Sequence, residues 1–456
     1  MDASDYTCGS GPSDLPPHKP GKSGAPVHIG APTIRAYQLR LNSLRVSVYI
    51  LIAIGVQTWM SSFALASSPA IFGSGSVSIA QSGSVVSETN YFGAVYHNPA
   101  GLLGGDTLKA YIGYAYGGLQ QTVDDAQAQG QAVSASIIGL SLPLPLKHAL
   151  KDRVALGIAF HVPTNTVLTA RVPAPGVAHF PILATRAQTV SLKAGIGLKL
   201  TNDLSIGVSV LAMSGLTGAI DVGPNASGRI GAVAGDQLVA RYAPILGAHW
   251  AISKSFHLGF AYRAQSSAEF DLPITADLGD DFPLQVPELT IRGVAQYDPE
   301  AYDAELGWVR DPWRVNIGVR LSRWSLFPKP IEYAARPVEV ARIPTPDWTN
   351  SWSPSLGLKR HWSVGDWAGV LHGGYRWLPT PVPSSQQTTA YLDNHRHIVS
   401  MGHTFEFQKL TLGFAGQVHH LRPRTTRSTP LGDTESTVYT HSGLVWLGML
   451  ELGLAL

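Results

Sequence analysis

Residues Gln188–Ser214 read QTVSLKAGIGLKLTNDLSIGVSVLAMS, and their polarity changes at every second position. Val190, Leu192, Ala194, Ile196 and Leu198 fall on one side of an extended chain; Thr189, Ser191, Lys193, Gly195, Gly197 and Lys199 fall on the other. After Thr201-Asn202 the pattern resumes, with Leu204, Ile206, Val208 and Val210 opposite Ser205, Gly207 and Ser209. Successive side chains of a strand point to opposite faces, so this stretch predicts two antiparallel strands joined by a tight turn. Each strand is close to the roughly 9–11 residues that cross a bilayer obliquely.

The same unit recurs along the chain. Pro312–Arg323 sets Trp313, Val315, Ile317, Val319 and Leu321 against Arg314, Asn316, Gly318, Arg320 and Ser322. Strands are expected near 106–117, 132–143, 153–163, 187–200, 203–213, 238–252, 255–265, 288–296, 312–324, 351–362, 367–377, 396–406, 409–420 and 443–455, about fourteen in all. Short links (Thr201-Asn202, Ser253-Lys254, Ser363–Asp366, Gln408) alternate with long ones (Pro163–Arg186, Gly215–Gln237, Gln265–Pro287, Ser325–Asn350, Leu378–His395, Leu421–His441). A soluble β-sandwich would show the same alternation of polarity but gives no reason for that alternation of link length. Outer-membrane barrels do, having short periplasmic turns and longer extracellular loops. Aromatic residues near strand ends (Trp250, Phe256, Tyr262, Trp308, Trp313, Trp324, Trp362, Trp367, Trp377) suit the lipid–water girdles of such a barrel. The expected fold is all-β, an antiparallel transmembrane β-barrel of about 14 strands. Two places fit less well: Asp298–Asp311 is long for a periplasmic turn, and the chain ends Leu454-Ala455-Leu456 without a terminal aromatic residue.

Composition agrees. Only 14% of residues are charged, against roughly 25% in soluble domains, and the net charge of +2 gives no reason to expect nucleic acid. The single cysteine, Cys8, leaves no internal disulfide. Arg35, Arg40 and Arg45, then the apolar Val48–Val56, then Ala64-Leu65-Ala66 follow the order of a secretory signal, and Val46–Ala66 is also long enough for a membrane anchor. Residues 1–66 are therefore expected to be a disordered leader plus signal peptide.

Residues 67–105 are too irregular for a membrane strand. They open on the Gly/Ser-rich run Ile71–Val86 and continue through Phe92–Leu103, centred on Asn98-Pro99-Ala100-Gly101-Leu102. Asn-Pro is a turn signal, because Pro99 fixes its own φ and pushes Asn98 out of the helical region. Placed ahead of a barrel pattern, the run resembles the hatch of the long-chain fatty-acid and hydrocarbon transporter family. The resemblance implies a hatch over 67–105 that plugs the lumen, a barrel over 106–456, and gating by Asn98, Pro99, Ala100, Gly101 and Leu102. It also implies passive passage of hydrophobic molecules, above all long-chain fatty acids, by capture among the loops, a lumenal pocket and lateral exit. The expected partners are those molecules and outer-membrane lipid, with a monomer as the family's state. Outside the hatch the resemblance is architectural, so a barrel serving as an adhesin or secretion scaffold stays open as the alternative.

Basic residues on the inferred lumen face (Lys193, Lys199, Arg241, His249, His257, Arg263, Arg314, Arg320, Arg376) are candidates to hold a carboxylate head group by charge-assisted bonds. Arg241, His257, Arg263, Arg314 and Arg320 are the leading ones. Loop residues Phe180, Pro181, Ile182 and Leu183, or Leu284 and Val286, are candidates for apolar capture, Phe180 and Ile182 first. Each has a plainer reading, as lumenal ion pairs or loop packing. Neither His395-Arg396-His397 nor His419-His420 has metal-ligand spacing, no Gly-x-Ser-x-Gly elbow or Walker motif occurs, and no catalytic group, metal or cofactor is expected.

Overall fold

A computed structural model of the 456-residue chain describes residues 69–128, 133–164, 168–169, 177–183, 188–224, 230–276, 289–329, 331–333, 344–430 and 434–456. The expected leader and signal (1–66), Leu284 and Val286 lie outside them.

Fourteen strands form a closed wall: β1 (Lys109–Val123), β2 (Val133–Pro143), β3 (Val154–Pro163), β4 (Ser191–Lys199), β5 (Leu204–Pro224), β6 (Ile230–Ala251), β7 (Phe256–Arg263), β8 (Ala301–Arg310), β9 (Trp313–Ser322), β10 (Ser351–Val364), β11 (Trp367–Leu378), β12 (Arg396–Phe407), β13 (Leu410–Pro430) and β14 (Thr437–Ala455). Each pairs antiparallel with the next. The ring closes where β14 meets β1 over fifteen residue pairs, Lys109↔Ala455 to Val123↔His441. Closure leaves no wall edge to be solvated, the condition for a sheet in hydrocarbon. The outward apolar faces are as read from the sequence: Leu192, Ile196, Ile206, Val208, Val210, Ile317 and Val319 are all exposed. Trp250, Phe256, Trp313 and Trp367 are exposed beside the short turns, as a girdle requires. Leu450 faces outward in β14, so the chain end does complete the wall.

Three expectations need correction. The eighth wall strand is not 288–296 but Ala301–Arg310, which pairs with β7 and β9. The long turn expected at Asp298–Asp311 is thus mostly strand, and Asp311-Pro312 alone links β8 to β9. The strand escaped the pattern because its inward positions carry Asp303 and Glu305, both buried, which make it read as polar. Second, Leu289–Asp298 pairs with Ser266–Ala276 as a ribbon continuing β7 and β8 beyond the wall. Likewise the expected loops at Gly215–Gln237 and Leu421–His441 are largely strand, since β5–β6 and β13–β14 extend past the bilayer span. Third, Trp324 is buried against Trp348 (ring centroids 5.5 Å apart), inside an aromatic cluster with Phe327 and Tyr391 and not in a girdle.

Candidate functional site

Residues Pro69–Gly105 form short helices α1 (Pro69–Phe72), α2 (Ser76–Ala80) and α3 (Ala94–His97), then a 3-10 turn, Pro99–Leu102. Nearly all of this segment is buried, against the inward faces of strands from both sides of the ring. On one side the seat is glycine. A Cβ on Gly207 would come 2.3 Å from the Pro99 carbonyl carbon, and one on Gly247 would come 2.0 Å from Asn98 Oδ1. Any side chain at those two wall positions would displace the turn. On the other side the seat is polar. Glu451 accepts from the Ser76 amide (3.0 Å) and hydroxyl (2.9 Å), Glu305 from the Ser87 amide and hydroxyl (both 2.8 Å), and Arg314 donates to the Ser87 carbonyl (2.6 Å). Glu88 pairs with Lys359 and accepts from Asn316 at 2.8 Å. Burial alone would raise the pKa of Glu88, but Lys359 and Arg314 beside it more than offset that and hold it at about 2.

Asn98 ties the turn together. Its amide donates to the Val86 carbonyl (2.7 Å) and to Ala248 of the wall (2.9 Å), and its Oδ1 caps the 3-10 turn by accepting from Ala100 N (3.2 Å). With Pro99 at the first position of the turn, this is the structural use of the Asn-Pro-Ala-Gly-Leu run.

Between this segment and the outer loops lies a cavity of about 90 Å³. Its apolar lining includes Phe72, Ile182, Leu211, Ile245, Trp324 and Ile398, and Arg263, Arg320, Arg376 and Arg396 reach it as well. Asp303 pairs with Arg263 and, at 2.8 Å, with Arg320; Arg376 donates its Nε to the Ser82 carbonyl (2.8 Å); Arg396 lies 3.3 Å from Asp393. Those contacts use only part of the guanidinium groups. Among the described residues, Arg263 Nη1, Arg320 Nη2, Arg376 Nη1 and Arg396 Nε and Nη1 are buried with no hydrogen-bond acceptor, and neither ring nitrogen of His97 has a hydrogen-bond partner. Burial, then the nearby Arg263 and Arg320, hold the His97 pKa below its ordinary value and keep the ring neutral. Buried donors left unpaired cost about 1–3 kcal/mol each, more when charged. An apolar space edged by such donors is chemically matched to an anionic group on an apolar body.

The family described as "Outer membrane protein transport protein (OMPP1/FadL/TodX)" matches residues 51–421, most of the chain. This protein is a member of the OMPP1/FadL/TodX family. It is accordingly an outer-membrane protein of a family that transports hydrophobic compounds, a family of transporters and not of enzymes. Among solved structures, a Pseudomonas aeruginosa FadL homologue is similar at 13% identity and a TM-score of 0.60, covering 86% of this chain and 100% of its own. The P. putida toluene transporter TodX is similar at 14% and 0.54, covering 85% and 99%, and the Ralstonia pickettii toluene transporter TbuX at 12% and 0.51, covering 84% and 98%. At these identities the likeness is one of fold. Among individually curated proteins no sequence matches.

Within this FadL/TodX member the residues read from the sequence go to different places. Arg263, Arg320 and Ile182 line the cavity. Arg314 is occupied by Ser87, and His257 stacks on His249 (5.4 Å between centroids), so neither reaches it. Arg241 stands outside, paired with Glu269. Phe180 is buried against His441 (5.7 Å) and does not line the cavity. Asn98, Pro99, Ala100, Gly101 and Leu102 are all buried in the seated turn. Two cavity residues carry no signal in the sequence: Arg396, whose flanking histidines lack metal-ligand spacing, and Tyr96, whose ring lies 5.2 Å from the Arg263 guanidinium. Arg396 sits where an alternating pattern gives no sign of which inward positions meet, and Tyr96 in a short helix whose partners across the lumen leave no local mark.

Proposed function

We propose that this chain carries long-chain fatty acids passively across the outer membrane, and that residues 67–105 act as the hatch of the barrel. The observation that carries the reading is the apolar cavity edged by guanidinium groups with unused donors. A carboxylate completes those donors, and burying the chain contributes about 25 cal/mol per Å² of apolar surface. The cavity of about 90 Å³ is smaller than the ~150 Å³ that accommodates a benzene ring, so a long acyl chain needs the hatch to move. Asn98, Pro99, Ala100, Gly101 and Leu102 are the gating turn, because their seat on Gly207 and Gly247 involves shape and a few hydrogen bonds rather than covalent or metal ties. The carrier acts as a monomer, its ligand drawn from outside and released sideways towards membrane lipid.

A second reading, that the cargo is a monoaromatic hydrocarbon, needs less enlargement of the cavity than an acyl chain but leaves the arginine donors unused. Binding of labelled oleate and of toluene to the purified protein separates the two. Saturable oleate binding that fails with the methyl ester supports the acid; toluene binding with none for oleate overturns it.

A further inference from the structure

Arg310 at the end of β8, Trp313 at the start of β9 and Arg360 of β10 form one row across three strands, in register as Arg310↔Trp313↔Arg360. Residues directly opposite each other in antiparallel strands share a face. This row faces out of the barrel: Trp313 is 46% exposed and both arginines are exposed. It stands beside the Asp311-Pro312 turn, one of the short turns that mark the periplasmic rim of an outer-membrane barrel.

The Arg360 guanidinium lies over the Trp313 ring, 5.4 Å from its centroid, a cation–π contact that holds the charge down on the wall. Among the described residues neither Arg310 nor Arg360 has an ion pair, although Asp311 follows Arg310 in the chain. The lumenal Arg263, Arg314 and Arg320 each have a carboxylate within 4.0 Å. Further into the bilayer the same three strands present two apolar rows, Trp308↔Val315↔Leu358 and Leu306↔Ile317↔Leu356. The second is exposed throughout, Ile317 most of all at 61%. Neighbouring strands lie roughly 4.8 Å apart, which puts the two arginines about 10 Å apart with the indole between them. Arginines at such a boundary lay their stems along apolar surface and keep their charge at head-group depth. Two cations there, without protein counter-charges and bordering an apolar bank, match a lipid with negative charge to spare. A zwitterionic lipid carries its own ammonium and has none. The spacing suits two phosphates on one head group.

We propose that Arg310, Trp313 and Arg360 form a binding site for an anionic phospholipid of the periplasmic leaflet, best filled by a diphosphatidyl lipid. One phosphate sits at each arginine, and the acyl chains run along Leu306, Ile317 and Leu356. The site lies on the outer face of the wall, so it does not depend on what the lumen carries. Its test is native mass spectrometry of the purified protein in detergent, titrated with cardiolipin, phosphatidylglycerol or phosphatidylethanolamine. Cardiolipin should bind at least tenfold more tightly than phosphatidylethanolamine. Arg310→Gln/Arg360→Gln should lower cardiolipin affinity at least tenfold and leave phosphatidylethanolamine binding unchanged. Lys147→Gln/Lys151→Gln removes the same charge from the exposed link between β2 and β3, at the same rim, and should leave cardiolipin binding intact. Equal cardiolipin binding by the arginine variant and the unsubstituted protein would overturn the site. Equal losses in the two double variants would also overturn it, by showing attraction to overall charge alone. Phosphatidylglycerol binding as tight as cardiolipin would overturn the two-phosphate fit. The single variants Arg310→Gln and Arg360→Gln supply the same readout should the double variant fail to fold.

Discussion

Gly247 lies directly beneath Asn98: a Cβ on this wall residue would come 2.0 Å from the Asn98 Oδ1 atom, while the neighbouring Ala248 carbonyl accepts from the same side chain at 2.9 Å. Shape and hydrogen bonding at one point of the wall thus hold the turn that occupies the lumen.

Filling that seat should unseat the turn without opening the wall. Gly207→Val places carbon against the Pro99 backbone, which has nowhere to yield, whereas both ladders of Gly207 run through its backbone and survive. The variant is expected to assemble as a heat-resistant barrel yet admit hydrophilic solutes, read as a several-fold rise in sensitivity of the cells to a large polar antibiotic. Unchanged permeability at equal surface abundance would mean that the turn does not close the lumen.

Asn98→Ala removes the bonds to Val86, Ala248 and Ala100. It leaves buried carbonyls short of a donor at about 1–3 kcal/mol each. Amide hydrogen exchange across Val86–Leu103 should accelerate by one to two orders of magnitude relative to the wall strands. Equal protection in the variant would contradict the tie described here.

Glu88 makes the seating pH-dependent. Its folded pKa, about 2, lies below the ordinary carboxylate value, so its contribution is fully present above about pH 4.5 and is lost as pH falls towards 2. Exchange protection of Ser84–Gly105 should fall through that window in the unsubstituted protein. In Glu88→Gln it should start lower at neutral pH and change less on acidification. The difference between the two isolates Glu88 from the other buried carboxylates, and an identical acid profile would count against the pairing with Lys359.

Arg376 has no carboxylate partner in the described structure and keeps Nη1 free towards the cavity. Arg376→Met should weaken oleate binding to purified protein by roughly ten- to hundredfold, the equivalent of one charge-assisted bond. Affinity for an uncharged aromatic ligand should change little. Equal loss for both ligands would assign Arg376 to the Ser82 tie alone.

The barrel was legible because lipid imposes one rule on every wall strand, and Leu204–Val210 or Trp313–Leu321 obey it without exception. It failed at Ala301–Arg310, whose inward positions carry Asp303, paired with Arg263 and Arg320, and Glu305, bonded to Ser87, in place of glycine and serine. Beyond the bilayer both faces meet water or other loops, the rule lapses, and the β5–β6 and β13–β14 extensions read as loops. The Asn98–Leu102 turn was visible as a motif, but its partners were not: Gly207 and Gly247 look like any other inward glycine until the turn is seen lying on them. The same holds for Arg376 and Arg396, brought to one cavity from β11 and β12 by ring closure and by the seated segment, neither of which leaves a local mark.

Gated transport is tested most directly by uptake of labelled oleate by cells making the intact protein or the Asn98→Ala/Pro99→Ala variant, each normalised to its surface abundance. Saturable uptake is expected that depends on the intact protein and drops several-fold in the variant. Equal uptake by the two would contradict gating by the Asn98–Leu102 turn, and no uptake by a surface-localised, folded protein would contradict the fatty-acid assignment itself.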